Sequence, residues 1–386
     1  MMSHSSPILR SGLIASLVMV LMLLSGAPRA QAQIGDAGEI LRAGAGDATL
    51  LMENYLKPFG AGFGANLNAG WVNMARPHQP FGFDLRVNAG LAFVPSSDRL
   101  FNVNNVAFQE LQLLSGSAAT PTISGDDFTD TRLGRNFTYE DPNTGQNVTE
   151  ELYSFMMPEG IGFPYVPAPM VQLTVGAVMD TDVSFRYFPS TQIDDVGSIG
   201  MFGIGAKHGL NQWLPGGNTL PVDLSVQLGY TRLTMDASFE VLPDIDGETH
   251  VPQGYESNAA RWRNQGMDFV ASGFTGNVLV GKTFPVLSLF GGLGFQSSNV
   301  SITTPGSYPI TVPNENYDPN AASGSPNSKP KIVESIESPI DLSLDGENSV
   351  HALAGFRIRL SLLTISGSYT LAKYPVANVG VGFSFR

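Results

Sequence analysis

Along most of the chain, apolar and polar residues alternate at every second position, the period of a strand whose successive side chains point to opposite faces. The final segment shows it most plainly: Val379, Val381, Phe383 and Phe385 alternate with Gly380, Gly382, Ser384 and Arg386. Leu363, Ile365, Tyr369 and Leu371 alternate with Thr364, Ser366, Ser368 and Thr370, and the same pattern runs through Val222–Thr231 and Phe83–Phe93. A water-soluble sandwich also alternates. Two features favour a membrane barrel instead. The runs reach about ten residues, enough to cross a bilayer at a tilt. Their polar faces also carry ionisable groups in mid-strand, which suits a polar lumen inside an apolar band.

The segmentation predicts an all-β fold, an antiparallel transmembrane barrel of about twelve strands within a range of 10–14. The strands are placed at residues 61–74, 81–95, 98–106, 167–179, 181–189, 197–210, 221–240, 266–282, 285–303, 348–360, 361–373 and 375–386. An even count puts both barrel ends on the periplasmic side. The short connections Pro95–Ser97, Met179–Thr181, Thr283–Pro285 and Leu360–Ser361 then fall there too. Three long connections, near 107–166, 241–265 and 304–347, fall outside, the asymmetry such barrels show.

Two stretches of a different pattern precede the strands. From Asp36 to Lys57, the residues Ile40, Leu41, Ala45, Ala48, Leu51, Met52 and Tyr55 recur at three- and four-residue spacings and predict a helix with one apolar face. Pro58, Gly60, Gly62 and Gly64 are expected to end it. Ahead of it, Arg10, an apolar core from Leu13 to Leu24 and Ala30-Gln31-Ala32 have the three-part layout of a secretory signal. The expected organisation is a cleaved signal at 1–33, a helix at 34–58 and a barrel at 59–386.

Composition sharpens this reading. Charged residues are 14% of the chain, against about 25% in an ordinary soluble domain. The net charge of −13 argues against nucleic acid as a partner. With no cysteine, disulfides, thiolate chemistry and a lipoprotein anchor are not expected. The three long connections hold 20 of the 34 Asp and Glu and only 6 of the Lys and Arg, so the charge belongs to the outer rim. Rich in Pro, Asn, Gly and Ser, they read as solvated, mobile segments.

Asp84, Arg86, Asp182, Arg186, Asp223, His351, Arg357 and Arg359 are the lumen-lining candidates. They either line a polar path or pair across the interior and close it, since buried charges are rarely left unpaired. Leu41, Leu51, Met52 and Tyr55 are the residues by which the helix would plug the lumen. In Lys207–Pro215, taken as a periplasmic connection, Leu210, Trp213 and Leu214 form one amphipathic turn, with Trp213 as an interface anchor. Ser349 and His351 share a strand face, with Asp345 and Glu347 just upstream, a weak likeness to a nucleophile–base–acid set. His78 and His250 fall in connections. Asp126, Asp127 and Asp130, and Asp244 and Asp246, are acidic clusters without the spacing of a calcium loop. No catalytic residue, metal site or cofactor is expected.

Tyr55–Trp71, Phe83–Asp98 and Gly203–Pro215 resemble an uncharacterised family of bacterial outer-membrane proteins, and the resemblance spans most of the chain after the signal. It implies the fold and the outer-membrane location. A looser likeness is to FadL-type channels for hydrophobic compounds, which also carry a short helical plug before the first strand, although the Asn-Pro-Ala segment of those channels is missing here. The expected function is therefore a channel or transporter for small or hydrophobic solutes. The alternative is a structural or surface-display barrel whose acidic loops bind a partner. Expected partners are outer-membrane lipid and the assembly machinery that reads a C-terminal strand ending at Phe385.

Overall fold

The computed structural model describes residues 40–385, apart from 142–143, 194–196, 244, 319 and 347–348. The signal segment, Asp36, Asp244, Glu347 and Arg386 lie outside the described residues. Ten strands form the wall: β1 (Phe83–Phe93), β2 (Tyr165–Ala177), β3 (Thr181–Ile193), β4 (Gly197–Gly209), β5 (Asp223–Ser238), β6 (Gly266–Thr283), β7 (Leu287–Thr303), β8 (Ser349–Leu360), β9 (Leu363–Leu371) and β10 (Val376–Phe385). Each pairs antiparallel with its neighbours in sequence, and β1 pairs with β10 from Phe83↔Phe385 to Ala92↔Val376. The meander is thereby closed and leaves no free wall edge. One further strand, Asp341–Asp345, lies along β7 beyond the point where β8 leaves it.

Each wall strand turns one apolar series outward. Leu85, Leu173, Phe185, Ile204, Leu228, Val278, Leu293, Phe356, Ile365 and Val381, one from each strand, are exposed. The intervening residues face inward and are buried, among them Asp84, Arg86, Gln172, Asp182, Arg186 and Arg357. No helix among the described residues is long and apolar enough to cross a membrane; the wall strands are the elements of that length.

The ring has two unlike ends. At one lie the start of β1, the end of β10 and tight turns. Met179 and Asp180 both take positive φ (58° and 47°) in the three-residue turn that follows the Ala177↔Thr181 pair. At the other lie the long connections, which differ from the expected mobile loops. Residues 94–164 build a sheet from Gln112–Ser115, Arg132–Asp141 and Gln146–Met156, and 304–348 contribute Ser307–Pro313 and Lys331–Glu337 to another. Leu133, Phe155, Met157, Tyr308 and Val333 are buried beneath them. Those buried side chains, interleaved with acids, fold the loops into a dome.

The twelve-strand expectation is corrected at two places. Residues 61–68 are helix: α1 (Ala45–Asn68) runs through Pro58 and the glycines that were expected to stop it. The glycines are contact points rather than breakers. A Cβ on Gly62 would stand 2.7 Å from Val166 Cγ2, and one on Gly60 would meet Leu344 and Val300. The 98–106 segment gives only Leu100–Asn102, paired with Ala119–Pro121 outside the wall. Losing those two strands reverses β1, so Pro95–Ser97 lies at the dome end, not among the tight turns. Lys207 lies near the end of β4, within the strand expected at 197–210, so the connection taken as Lys207–Pro215 begins only after Gly209.

A lumen threaded and gripped by its own chain

The helix stands inside the ring. Its C-terminal half packs on β6, β7, β2 and β1, and its N-terminal half rises into the dome. Leu41, in the short 3₁₀ turn Ile40–Ala43, together with Leu51, Met52 and Tyr55, is fully buried. The Tyr55 hydroxyl donates to the Glu159 carbonyl at 2.8 Å, and Asp47 accepts the backbone N–H groups of Gln109, Glu110 and Leu111 at 2.8–2.9 Å. Phe59 and Phe63 pack edge-on to Phe269 of β6. Lower down, Asn66 donates to the Val166 carbonyl at 2.7 Å and Asn68 to that of Ser297 at 2.9 Å.

Below Asn68 the chain continues without regular structure to Phe83, through the tight-turn half of the lumen. An extended chain alone in a lumen leaves carbonyls without donors, and buried backbone groups must be paired. The wall supplies the donors in sequence. Arg186 donates to the carbonyls of Leu67 and Ala69, both at 2.7 Å. Arg86 reaches those of Gly70 (3.1 Å) and Trp71 (2.7 Å), and Gln172 also takes Trp71 at 3.0 Å. Ser225 donates to Ala75 at 2.8 Å, and Lys207 to Met74 (3.1 Å) and Arg76 (3.2 Å). Arg186 also ties off the helix's terminal carbonyls, where a cation opposes the negative end of the dipole. Its guanidinium carbon lies 3.8 Å from the centroid of the Trp71 ring.

Two carboxylates balance part of this charge. Asp182 pairs with Lys207 at 3.0 Å and accepts from the His78 backbone at 2.8 Å, with the His78 ring Nδ1 at 3.0 Å. Asp84 lies between Arg357 (3.4 Å) and Arg86 (3.9 Å), with Asn73 also in reach. The wall thus presents Arg86, Arg186, Lys207 and Arg357 against Asp84 and Asp182. Two interior cavities, one beside Trp71, Asn73 and Lys207 and one beside Gly70 and Asn378, measure about 10 Å³ each, at most a water apiece.

The remaining sequence candidates fall elsewhere. Asp223, half-buried, begins β5 at the tight-turn rim, and Arg359 is exposed at the end of β8. His351 Nε2 is 2.7 Å from Asn277 Oδ1, while Ser349 Oγ accepts from Gln296 at 3.3 Å, so the two turn to different partners. Asp246 is tied to Thr249 and Lys331, and Asp130 accepts the Ser117 backbone N–H. Among the described residues no group of three or more His, Cys, Asp and Glu is placed to hold a metal. Trp213 is exposed in the 3₁₀ turn Asn211–Trp213, with its indole N–H donating to His208 Nε2 at 2.8 Å. Lys207, His78, Trp71, Gln172 and Ser225 were missed. The alternation Phe202, Ile204, Ala206 already puts Lys207 on the inner face; nothing in the sequence marks Trp71 or His78 as luminal.

Fold and lumen together define a class: a closed antiparallel β-barrel occupied from end to end by its own N-terminal segment. The chain belongs to a family of unknown function, DUF6588, whose match covers residues 11–385. No match to a curated protein was found. Among solved structures, the translocator domain of the autotransporter NalP from Neisseria meningitidis is similar at 10% identity, covering 83% of this chain and 91% of that one, with a TM-score of 0.27. The outer-membrane protease OmpT from Escherichia coli matches at 8% identity over 79% and 95%, TM-score 0.23. A mutant porin of Rh. blastica matches at 10% identity over 78% and 99%, TM-score 0.12. Similarity at this level carries no functional information.

Proposed function

We propose that the protein is an outer-membrane barrel that works sealed, holding a folded, acid-rich dome on the outer surface as its binding face. The observation that carries this is the continuous filling of the lumen by the C-terminal half of α1 and residues 69–82. The apolar belt on all ten strands supports a lipid surround, since soluble proteins rarely expose contiguous apolar patches of more than a few hundred Å². Trp213, exposed at the tight-turn rim, fits the lipid–water boundary, and Phe385 beside Phe83 at the seam fits a C-terminal signal read by assembly machinery.

Energetics weigh against release of the whole plug. Ile40, Leu41, Leu51, Met52, Leu56, Phe63 and Leu67 are buried. At about 1.5–3 kcal/mol each, exposing them costs on the order of 10–20 kcal/mol. That matches or exceeds the roughly 5–15 kcal/mol that holds an ordinary domain folded.

A second reading, passage of small solutes, rests on a different feature. Residues 69–82 are held mainly by polar grips and could retract while the helix stays. The vacated wall would expose four cations against two carboxylates and so prefer anions. Planar-bilayer recording of the full-length protein separates the two. The sealed barrel shows no steady conductance. A steady open state sinks the first reading, and anion-selective bursts establish the second.

A further inference from the structure

The threading has a direction. Barrel residues begin at the tight-turn end with Phe83, yet the chain before them climbs through the ring to the dome. Gly46 and Asp47, in the first turn of α1, contact Gln109–Leu111 of the dome, and Gly46 is exposed there. A 24-residue helix is about 36 Å long, enough to lift its N-terminus from mid-wall to beyond the rim. The lower half of the route is fixed by Arg186, Arg86 and Lys207, which hold carbonyls in chain order from Leu67 to Arg76.

We infer that this barrel carries the N-terminal end of its helix across the membrane, so that the first turn of α1, with Gly46 exposed, is presented on the outer surface. A chain exported to the periplasm reaches this arrangement only if residues 40–68 pass through the ring before or while the β1–β10 seam closes. The activity is self-translocation. The inference rests on the outer-membrane placement proposed above and is independent of whether the lumen conducts.

The cysteine-free chain allows a direct test on the full-length protein in cells, with heat-modifiable gel migration as the check on folding. Gly46→Cys adds a Cβ at ordinary contact distance, 3.6 Å, from the Gln109 side chain. Pro215→Cys reports the tight-turn end, where Pro215 is exposed. With a membrane-impermeant maleimide, Gly46→Cys labels on intact cells and Pro215→Cys only after permeabilisation. If both require permeabilisation, the N-terminus stays inside and the inference fails. If Pro215→Cys labels on intact cells and Gly46→Cys does not, the membrane placement itself is wrong. Should Gly46→Cys fail to fold or label under any condition, an epitope inserted directly before Ile40 gives the second readout. Antibody binding to intact cells supports the inference, and binding only after permeabilisation overturns it.

Discussion

Replacing Asp182 by Asn tests whether the luminal charges are truly desolvated. Asp182 is fully buried and faces Lys207 at 3.0 Å. At an effective dielectric of about 20, two unit charges at that separation attract by roughly 5 kcal/mol. Removing one partner of a buried pair usually costs about 3–5 kcal/mol because the other charge is stranded. Lys207 keeps the Met74 and Arg76 carbonyls, and the Asn amide oxygen still accepts from the His78 backbone, so the loss belongs at the lower end, about 3 kcal/mol. Adding Lys207→Met removes the stranded charge and should recover roughly 2 kcal/mol. The assay is urea unfolding from lipid vesicles, followed by the fluorescence of the three tryptophans. If the double variant is as unstable as the sum of the two singles, the pair is solvated and the dry-lumen argument is refuted.

Three further outcomes follow from the dome and wall. The Asp98 carboxyl is pushed up by burial but held below the usual carboxylate range by hydrogen bonds from Tyr374 and Ser97 and by Lys373. A depressed pKa gives stability above the usual range that is lost as pH falls through the folded value. Proteolytic nicking of 94–164 should therefore rise below about pH 4, and Asp98→Asn should be nicked readily at neutral pH as well. Gly229→Ala would place a Cβ 2.5 Å from Trp71 Cε2, costing about 1–3 kcal/mol and shifting the tryptophan near-UV dichroism. Burial raises the Tyr308 hydroxyl to about 12, keeping it neutral, and it bonds Gly266 at 2.8 Å; Tyr308→Phe should lower dome stability by about 1–2 kcal/mol in thermal proteolysis.

The wall was legible because period-two alternation is a local signal. All ten strands were located from it, as was the inward phase of Asp84, Arg86, Asp182, Arg186 and Arg357. What failed was set by tertiary contact. Gly60, Gly62 and Gly64 read as helix breakers because their small size alone does not reveal that a barrel wall presses against them. Residues 69–74 read as a wall strand because an extended chain carries the same spacing whether a sheet or a ring of side chains satisfies its backbone. The cationic grip was partly visible: Arg86 and Arg186 were named and Lys207 was not, but their purpose needs the carbonyls they hold, and backbone carries no sequence signature. The loops misread in the other direction, since Leu133, Phe155 and Tyr308 are too widely spaced among acids to announce a core.

Trp71 sits over Gly205 and Gly229, two wall positions emptied of side chain, where any added Cβ would stand 2.5–2.7 Å from the indole. Viewed as mechanics, this is a detent. A chain sliding through the ring meets many polar grips that would accept any carbonyl in turn, because every residue offers one. The glycine pit accepts only one bulky plane at one height. Slip by two residues would bring Ala69 or Asn73 to the pit and leave the indole against occupied wall. The polar grips hold the thread, and the indole fixes how far it has been drawn.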